Sequence, residues 1–439
     1  MAMARPFDII IYGATGFTGK RVAKYLAQSH PEIKLAISGR NSTKLASVAN
    51  ELGLPADHAL TASTAADKES KSLLEATLSK AKIVIACAGP FRHFGEAIVQ
   101  AAIAAGTDYL DLCGEPQFFD DMLAKYDKTA RENSTLVLSA CAFDCVPAEL
   151  TAQLATRECK KLFPSSPVTN IEIVHTFIGE SVGNVTTYHA AVDGFHAALA
   201  GELKASRKKV KEVLNLPASA PRCPPEWPKI VSSPGNIPVY HKETNTHLLK
   251  FMGADAACIL ASDRYLRYRS SLENENSSSS IDPHPRMSLC FGVHNKSAAY
   301  KVLAYGAAFS FLARFDYGCK VLHGNPELFT NGCFREGGPT EEEMAHTSFK
   351  TYCTAYGKDK DEFVKVICEG PEPGYVATPK IIVGLALTVL NHRDKMRYQG
   401  GVMVPGVAFG QCSEAYESLK KEGVVIQCVD TGVNSDSKV

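Results

Sequence analysis

Gly13, Gly16 and Gly19 stand at intervals of three in the stretch IIIYGATGFTGKRVAKYL. Glycines spaced in this way suit phosphate binding. Gly13 permits a tight turn with backbone angles that other residues avoid, and Gly16 leaves no side chain where a ligand approaches the backbone. Gly19 lets a helix pack closely on a strand. The N–H groups that open such a helix, at the positive end of its dipole, then face a pyrophosphate. Gly13-Ala14-Thr15-Gly16-Phe17-Thr18-Gly19 therefore reads as the G-x-x-G-x-x-G variant of a dinucleotide fingerprint; an ordinary strand-to-helix turn is the alternative.

A second group of residues bears on the choice of dinucleotide. NAD-binding turns place Asp or Glu at the end of the second strand, where it holds the ribose hydroxyls. Here that place is filled by Ser38, Gly39 and Arg40, with Lys44 one helical turn on. An acid would repel a 2′-phosphate, whereas Arg40 can clamp one bidentately. The expected cofactor is NADP(H) in preference to NAD(H); a solvated Arg and Lys at a helix start is the other reading.

Three further stretches end candidate strands: ACAGPFRHFGE, DLCGEPQFF and ACAFDCVPAEL. Ala88-Gly89-Pro90-Phe91 makes a turn able to approach the ribose and nicotinamide. Asp111, Glu115 and Asp144 lie at or just beyond the ends of the next two strands. They could bind substrate hydroxyls or amines, or the cofactor's carboxamide. Asp144 equally suits the cap of a helix starting near Pro147. Hydride transfer needs no protein nucleophile, only a held nicotinamide, excluded water and often a proton donor. Donor candidates are Tyr109, His93 and Tyr188, and the catalytic set is Asp144, Glu115, Asp111 and Tyr109. A short-chain reductase would need Tyr-x-x-x-Lys near the fifth strand, but Tyr356 with Lys360 and Tyr416 with Lys420 come too late.

The elements that must position these residues alternate in the first third of the chain. Strands are expected at 7–12, 34–38, 83–88, 109–112 and 135–140, with helices at 42–52, 68–79 and 96–105. That order implies an α/β domain, a doubly wound parallel sheet with its ligand at the strands' carboxyl ends. The first domain is expected over 1–149. A second, mixed α+β domain follows over 150–385, with weaker periodicity, strands in NIEIVHTFIGE and LLKFMG, a Pro-rich loop (LPASAPRCPPEWPK) and a disordered polar insertion at about 270–284. Residues 386–439 read as a loop, helix and strand returning to either domain, then a flexible tail. Thr340 with Glu343 forms a capping box. Gly374–Pro379 reads as a turn into an apolar helix, Ile381–Leu390. Val302–Ala313, apolar and flanked by Lys301 and Arg314, is too short to span a bilayer. A buried helix is the plainer reading, and a helix on a lipid surface the sharper one.

The 439 residues carry 47 Lys plus Arg against 47 Asp plus Glu, and this balance gives no basic bias toward nucleic acid. Fourteen cysteines are scattered, with no CxxC pair and no zinc-ligand spacing, so no metal is expected. Arg5-Pro6-Phe7-Asp8 leads straight into the first strand without a signal-peptide pattern, so an intracellular protein with reduced thiols is expected. Ser437-Lys438-Val439 approaches the peroxisomal S-K-L tripeptide but lacks its leucine.

Taken together, YGATGFTG, ACAGPFRHFGE, YLDLCGEPQFF and CAFDCVPAEL resemble the saccharopine dehydrogenase-like oxidoreductases. FMGADAACILASDRYL, REGGPTEEEM, CEGPEPGYVATP and GGVMVPGVAF extend the likeness over nearly the whole chain, with Gln399 where the family pattern more often has alanine. The resemblance implies a Rossmann domain plus a substrate and dimerisation domain, a nicotinamide cofactor, and a homodimer. It also implies lipid-droplet or membrane-surface association, as in animal members, and a lipid-like or other small-molecule substrate. Bacterial relatives include trans-acting enoyl reductases of glycolipid synthesis. The expected function is NADP(H)-dependent hydride transfer. The alternatives are a non-catalytic NADP(H)-binding redox sensor on lipid surfaces and a true saccharopine dehydrogenase, whose tricarboxylate substrate Arg264, Arg267 and Arg269 could meet.

Overall fold

The computed structural model describes residues 5–179, 182–215, 223–231, 233–273 and 283–432. From the N-terminus the chain alternates β1 (Phe7–Tyr12), α1 (Phe17–Ser29), β2 (Leu35–Gly39), α2 (Ser42–Leu52), β3 (Ala59–Thr61), α3 (Lys68–Leu78) and β4 (Ala81–Ala86). It continues with α4 (Phe91–Ala105), β5 (Asp108–Asp111), α5 (Pro116–Glu132), β6 (Leu136–Leu138) and α6 (Val146–Leu162). Next come β7 (Asn170–Ile178), β8 (Gly183–Asn184), α7 (Val185–Leu199), α8 (Glu202–Val213), β9 (Val239–His241), β10 (Thr246–Lys250) and α9 (Asp255–Glu273). The middle part holds β11 (Arg286–Val293), α10 (Lys296–Leu312), α11 (Asp316–Gly324), α12 (Pro326–Thr330), β12 (Phe334–Arg335) and α13 (Glu341–Ala345). The chain ends with β13 (Ser348–Tyr356), β14 (Phe363–Pro371), α14 (Thr378–His392), β15 (Gly401–Met403), α15 (Pro405–Phe409), α16 (Ser413–Lys421) and β16 (Val425–Thr431).

These elements form two compact units. The first comprises Met1–Val146, Leu203–Val213 and Pro373–Gly423; the second comprises Pro147–Glu202, Leu214–Glu372 and Val424–Val439. The sequence boundaries at 149 and 385 are thus displaced. Residue 385 lies inside α14, which packs in the first unit with Ile381, Ile382, Val383, Leu385, Ala386 and Val389 all buried.

In the first unit a seven-stranded sheet runs β15-β6-β5-β4-β1-β2-β3. Every pairing in it is parallel. Ile9, Ile10 and Ile11 are fully buried at its centre, as expected of a strand covered on both faces. The order reverses at β1: β2 and β3 lie to one side and β4, β5 and β6 to the other. This is the doubly wound α/β arrangement, whose ligand crevice lies at that reversal. The closing segment returns to both units, since β15 pairs with β6 and β16 pairs with β14.

The second unit is built on a mixed sheet, β16-β14-β13-β7-β11-β10-β9. Strand β7 pairs parallel with β11 and antiparallel with β13. Its periodicity is stronger than the sequence reading allowed, for β13 and β14 bury alternate residues in the way period-2 strands must. Residues 274–282 of the serine-rich insertion, 216–222 of the Pro-rich loop and the tail with Ser437-Lys438-Val439 lie outside the described residues. The Thr340–Glu343 capping box forms, with both reciprocal hydrogen bonds in place.

Candidate active site

At Gly13 and Gly19 the glycine turn is closed by backbone contacts that leave no space for a side chain. Gly13 has φ +85, and a Cβ there would meet Ala88 N at 2.9 Å. A Cβ on Gly19 would meet Gly13 O at 2.2 Å, so helix α1 sits directly on the turn. Gly13 N donates to Ser38 O (2.8 Å) and Gly16 N to Gly13 O (3.0 Å), which ties the turn to the end of β2. Gly16 caps α1 without a side chain, no acid lies in the first turn, and the first helical acceptor is used by Lys20 N. The N–H groups of Phe17, Thr18 and Gly19 thus open the helix toward whatever faces it. Ser38 is fully buried, and among the described residues its Oγ has no hydrogen-bond partner. A turn closed to a Cβ at Gly13 and Gly19, open N–H groups and the Ser38 hydroxyl fit a dinucleotide.

Arg40 and Lys44 lie just past β2, exposed, and neither is in an ion pair among the described residues. Asn41 Oδ1 accepts from Lys44 N (2.9 Å) and so caps α2. Arg40 lies 5.9 Å from the Phe94 ring on α4. Cationic, uncommitted and next to the buried Ser38, Arg40 is placed to take a phosphate.

The acids at the next strand ends do different work. Asp111 is fully buried and accepts four hydrogen bonds: Oδ2 from Tyr109 OH (2.9 Å) and Ser139 Oγ (3.0 Å), Oδ1 from Cys113 N (2.9 Å) and Ala140 N (2.8 Å). Burial pushes its carboxyl up to about 6 despite those donors. It braces the ends of β5 and β6. Tyr109, also fully buried, is spent on Asp111, and burial with that neighbour raises its hydroxyl well above the usual phenol range. The geometry thus gives both expected catalytic residues a bracing place with no open face.

Glu115 lies at the start of α5 and reaches the N-terminus of α4. Its Oε1 accepts from Phe91 N (2.8 Å) and its Oε2 from Arg92 Nε (2.9 Å). It therefore fixes Ala88-Gly89-Pro90-Phe91 in place.

Asp144 differs from both. It is half-buried, and among the described residues its carboxyl makes no hydrogen bond. Burial pushes it up to about 6. Gly114 lies beside it, where an added Cβ would come 3.7 Å from Asp144 Oδ2. The helix-cap alternative finds no bond from this side chain to α6.

Two residues that the sequence reading assigned to architecture support this site. Tyr375, from a π-helical turn at Pro373–Ala377, packs edge-on against Phe17 of the glycine turn at 4.9 Å. Thr378 Oγ1 accepts from Phe143 N (3.2 Å), next to Asp144, and donates to Pro373 O (3.0 Å). The sequence signal was GYVATP itself, a turn chemistry richer than a helix start requires.

The other two donor candidates lie in different units. His93 is exposed on α4. Tyr188 belongs to the second unit, 3% exposed in a cluster with Val192, Ala313 and Leu322. Among the described residues its hydroxyl has no hydrogen-bond partner, and burial raises it to about 12. Of the three arginines on α9, Arg267 is held by Asp263 at 2.7 Å. Among the described residues no group of three or more His, Cys, Asp or Glu is arranged to hold a metal.

Sheet order and turn chemistry together define a doubly wound dinucleotide-binding protein. Residues 9–138 match the model of the saccharopine dehydrogenase NADP binding domain, and NADP(H) is the cofactor of this unit. A saccharopine dehydrogenase-like oxidoreductase of Mus musculus is 30% identical over 97% of this chain and 98% of its own. A Caenorhabditis elegans relative, named as a lipid droplet localized protein, is 27% identical over 96% of this chain and 98% of its own. Apo saccharopine dehydrogenase (L-Glu forming) of Saccharomyces cerevisiae shares the fold, with TM-score 0.52 over 97% of this chain and 100% of its own, at 9% identity. The chain belongs to the saccharopine dehydrogenase-like oxidoreductase family.

Proposed function

We propose that this chain catalyses NADP(H)-dependent hydride transfer to or from a lipid-like substrate, with Asp144 moving the accompanying proton. The observation that carries the reading is the Asp144 carboxyl: half-buried, without a hydrogen-bond partner among the described residues and raised to about 6, beyond the end of β6. A group titrating near neutrality suits proton transfer in both directions. Bound nicotinamide supplies or accepts the hydride.

The strand order supports an assignment of roles along one crevice. Arg40 and Ser38 end β2, the glycine turn follows β1, Ala88–Phe91 follows β4, Glu115 follows β5 and Asp144 follows β6. At about 4.8 Å per strand, β2 and β6 lie roughly 19 Å apart, the scale of an extended dinucleotide. Arg40 binds the 2′-phosphate, helix α1 the pyrophosphate, and Glu115 holds the turn beside the nicotinamide. Protonated Asp144 donates to the atom of the acceptor that gains charge as hydride arrives, and reverses this in oxidation. The name of the C. elegans relative supports a lipid-like substrate. An intracellular setting accords with fourteen cysteines, no two of them joined by a disulfide.

The test is fluorescence titration with NADPH and NADH, followed by NADPH oxidation against a panel of fatty aldehydes and trans-2-enoyl thioesters. Arg40→Ala should weaken NADPH about tenfold or more and leave NADH unchanged. Asp144→Asn should keep NADPH affinity and lower turnover about 100-fold. No NADPH binding overturns the reading; binding without turnover on any probe would favour the redox-sensor alternative.

A further inference from the structure

Ser38, Arg40 and Ser42 stand at every second position between the end of β2 and the start of α2. Asn41 is extended, at φ −111 and ψ 104, so Arg40 and Ser42 leave the chain on the same side. Ser38, on the other side of Arg40 along the chain, is fully buried, and among the described residues its Oγ lacks a hydrogen-bond partner. Ser42 is exposed, and among the described residues its hydroxyl makes no hydrogen bond. It is the first residue of α2, and Lys44 follows two positions later.

The surroundings of Ser42 suit a phosphate monoester. The first turn of α2 holds no acid, and Glu51, near the far end of the helix, is held by Lys20 at 2.6 Å. Lys44 N donates to Asn41 Oδ1 and Leu45 N to Asn41 O. The N–H groups of Ser42 and Thr43 are left without an acceptor among the described residues, at the positive end of the helix dipole. One exposed hydroxyl is thus flanked by two cations outside any described ion pair and by two open N–H groups. Arg40 is the residue offered to the 2′-phosphate of NADP(H). A phosphoserine is the same chemical group as that 2′-phosphate, a monoester on an alkyl oxygen.

We propose that Ser42 is a phosphorylation site whose phosphate occupies the 2′-phosphate subsite and turns the protein from NADP(H) toward NAD(H). The donor is a nucleoside triphosphate held by a protein kinase. Ser42 Oγ attacks the γ-phosphorus and the Oγ–P bond forms. The P–O bond to the β-phosphate breaks, the nucleoside diphosphate leaves, and the hydroxyl proton passes to the kinase's base. The new group carries a charge of about −1.5 to −2 and, tethered at the helix start, pairs with Arg40 and Lys44. An incoming 2′-phosphate then meets like charge and cations already taken, whereas NAD(H) brings only a hydroxyl to that place. The inference rests on the assignment of Arg40 to the 2′-phosphate.

The test uses the full chain with phosphoserine incorporated at position 42 during synthesis, titrated with NADPH and NADH by nicotinamide fluorescence beside unmodified protein and Arg40→Ala. The phosphoprotein should lose about tenfold or more in NADPH affinity and keep its NADH affinity within about twofold. Phosphatase treatment should restore NADPH binding, which shows that the fold is intact. In parallel, the unmodified chain is incubated with ATP and a protein kinase that prefers a basic residue before its serine. Fragment masses should place a phosphate on Ser42, NADPH should protect that residue, and Ser42→Ala should abolish the signal. The proposal is overturned if Ser42 stays unmodified, if phosphoserine leaves NADPH affinity unchanged, or if both cofactors weaken equally. Loss of NADPH affinity in Arg40→Ala without loss in the phosphoprotein sinks this inference alone; no loss in Arg40→Ala sinks the 2′-phosphate assignment beneath it.

Discussion

Helices α14 and α10 are alike in composition and opposite in surroundings. Each is a mostly apolar run with few charges, α14 rich in Ile, Val and Leu and α10 in Ala and aromatic residues. The segment Pro373–Lys395 containing α14 is long and apolar enough to cross a membrane. Yet ten of its residues are buried, from Thr378 to Val389, and Gly384 allows α16 so near that a Cβ would meet Glu422 Cγ at 3.1 Å. Helix α10 has one buried residue. Apolar content specifies a helix in both cases, and the neighbours each helix finds decide whether its apolar surface is hidden. The plainer sequence reading of Val302–Ala313, a buried helix, is therefore corrected.

The sharpest way to break this contrast is to place a carboxylate on each helix. Leu385→Asp puts an unpaired charge into a closed core and should cost more than about 4 kcal/mol, read as a collapse of the urea midpoint. If the loss is below about 1 kcal/mol, α14 is not the core element described. A second contrast concerns acid pH. His175 on β7 is buried, its Nδ1 2.8 Å from Thr351 Oγ1 and its Nε2 3.9 Å from Asp255 Oδ1. Burial lowers it from 6.5 to about 4. The unfolded chain therefore binds the extra proton first, and stability falls by about 3 kcal/mol as pH drops from about 6.5 to 4. Asp111 and Asp144, raised from 3.8 to about 6, act with opposite sign, since the folded form takes their protons first as pH falls. His175→Gln should remove the destabilising part, and unfolding midpoints between pH 7 and 4.5 would show whether it does.

A smaller effect is expected from Thr378→Val, which deletes an acceptor for Phe143 N and a donor to Pro373 O. It should cost about 1–3 kcal/mol and lower turnover more than it raises KM, because Asp144 loses its support rather than its chemistry. Equal loss of NADPH affinity would show that Thr378 acts elsewhere. Smallest of all, Phe311→Asp in water should change stability by less than about 0.5 kcal/mol. A larger loss would mean that α10 has packing partners not described above.

The legible parts of the molecule were those whose signal is local. Strand β1 matches its expected span Phe7–Tyr12, and α2 its span Ser42–Leu52, because a branched apolar run and a capped amphipathic helix carry their own evidence. The glycine turn and the Ser38-Gly39-Arg40 strand end were legible for the same reason. Strand β3, three residues long, has too little pattern to detect. Strand β15 finds its partner far away in Leu136–Leu138, a pairing no window around Gly401 contains. Asp111, Glu115 and Asp144 looked equivalent as acids at strand ends. Only their hydrogen-bond partners separate a brace, a helix cap and an open carboxyl.

The way the chain threads the first unit has a consequence for its synthesis. Its first 146 residues leave the ribosome with β6 as a sheet edge and without α14 over the core; both are completed only when the segment after Pro373 arrives. At ~5–20 residues per second, the roughly 250 intervening residues take about 10–50 s to make. Throughout that interval the nascent dinucleotide fold presents unpaired strand groups and uncovered apolar side chains, a natural client for a chaperone. A fragment cut near residue 146 would remain in that state permanently, so the nucleotide-binding unit is encoded in stretches separated by most of the second unit.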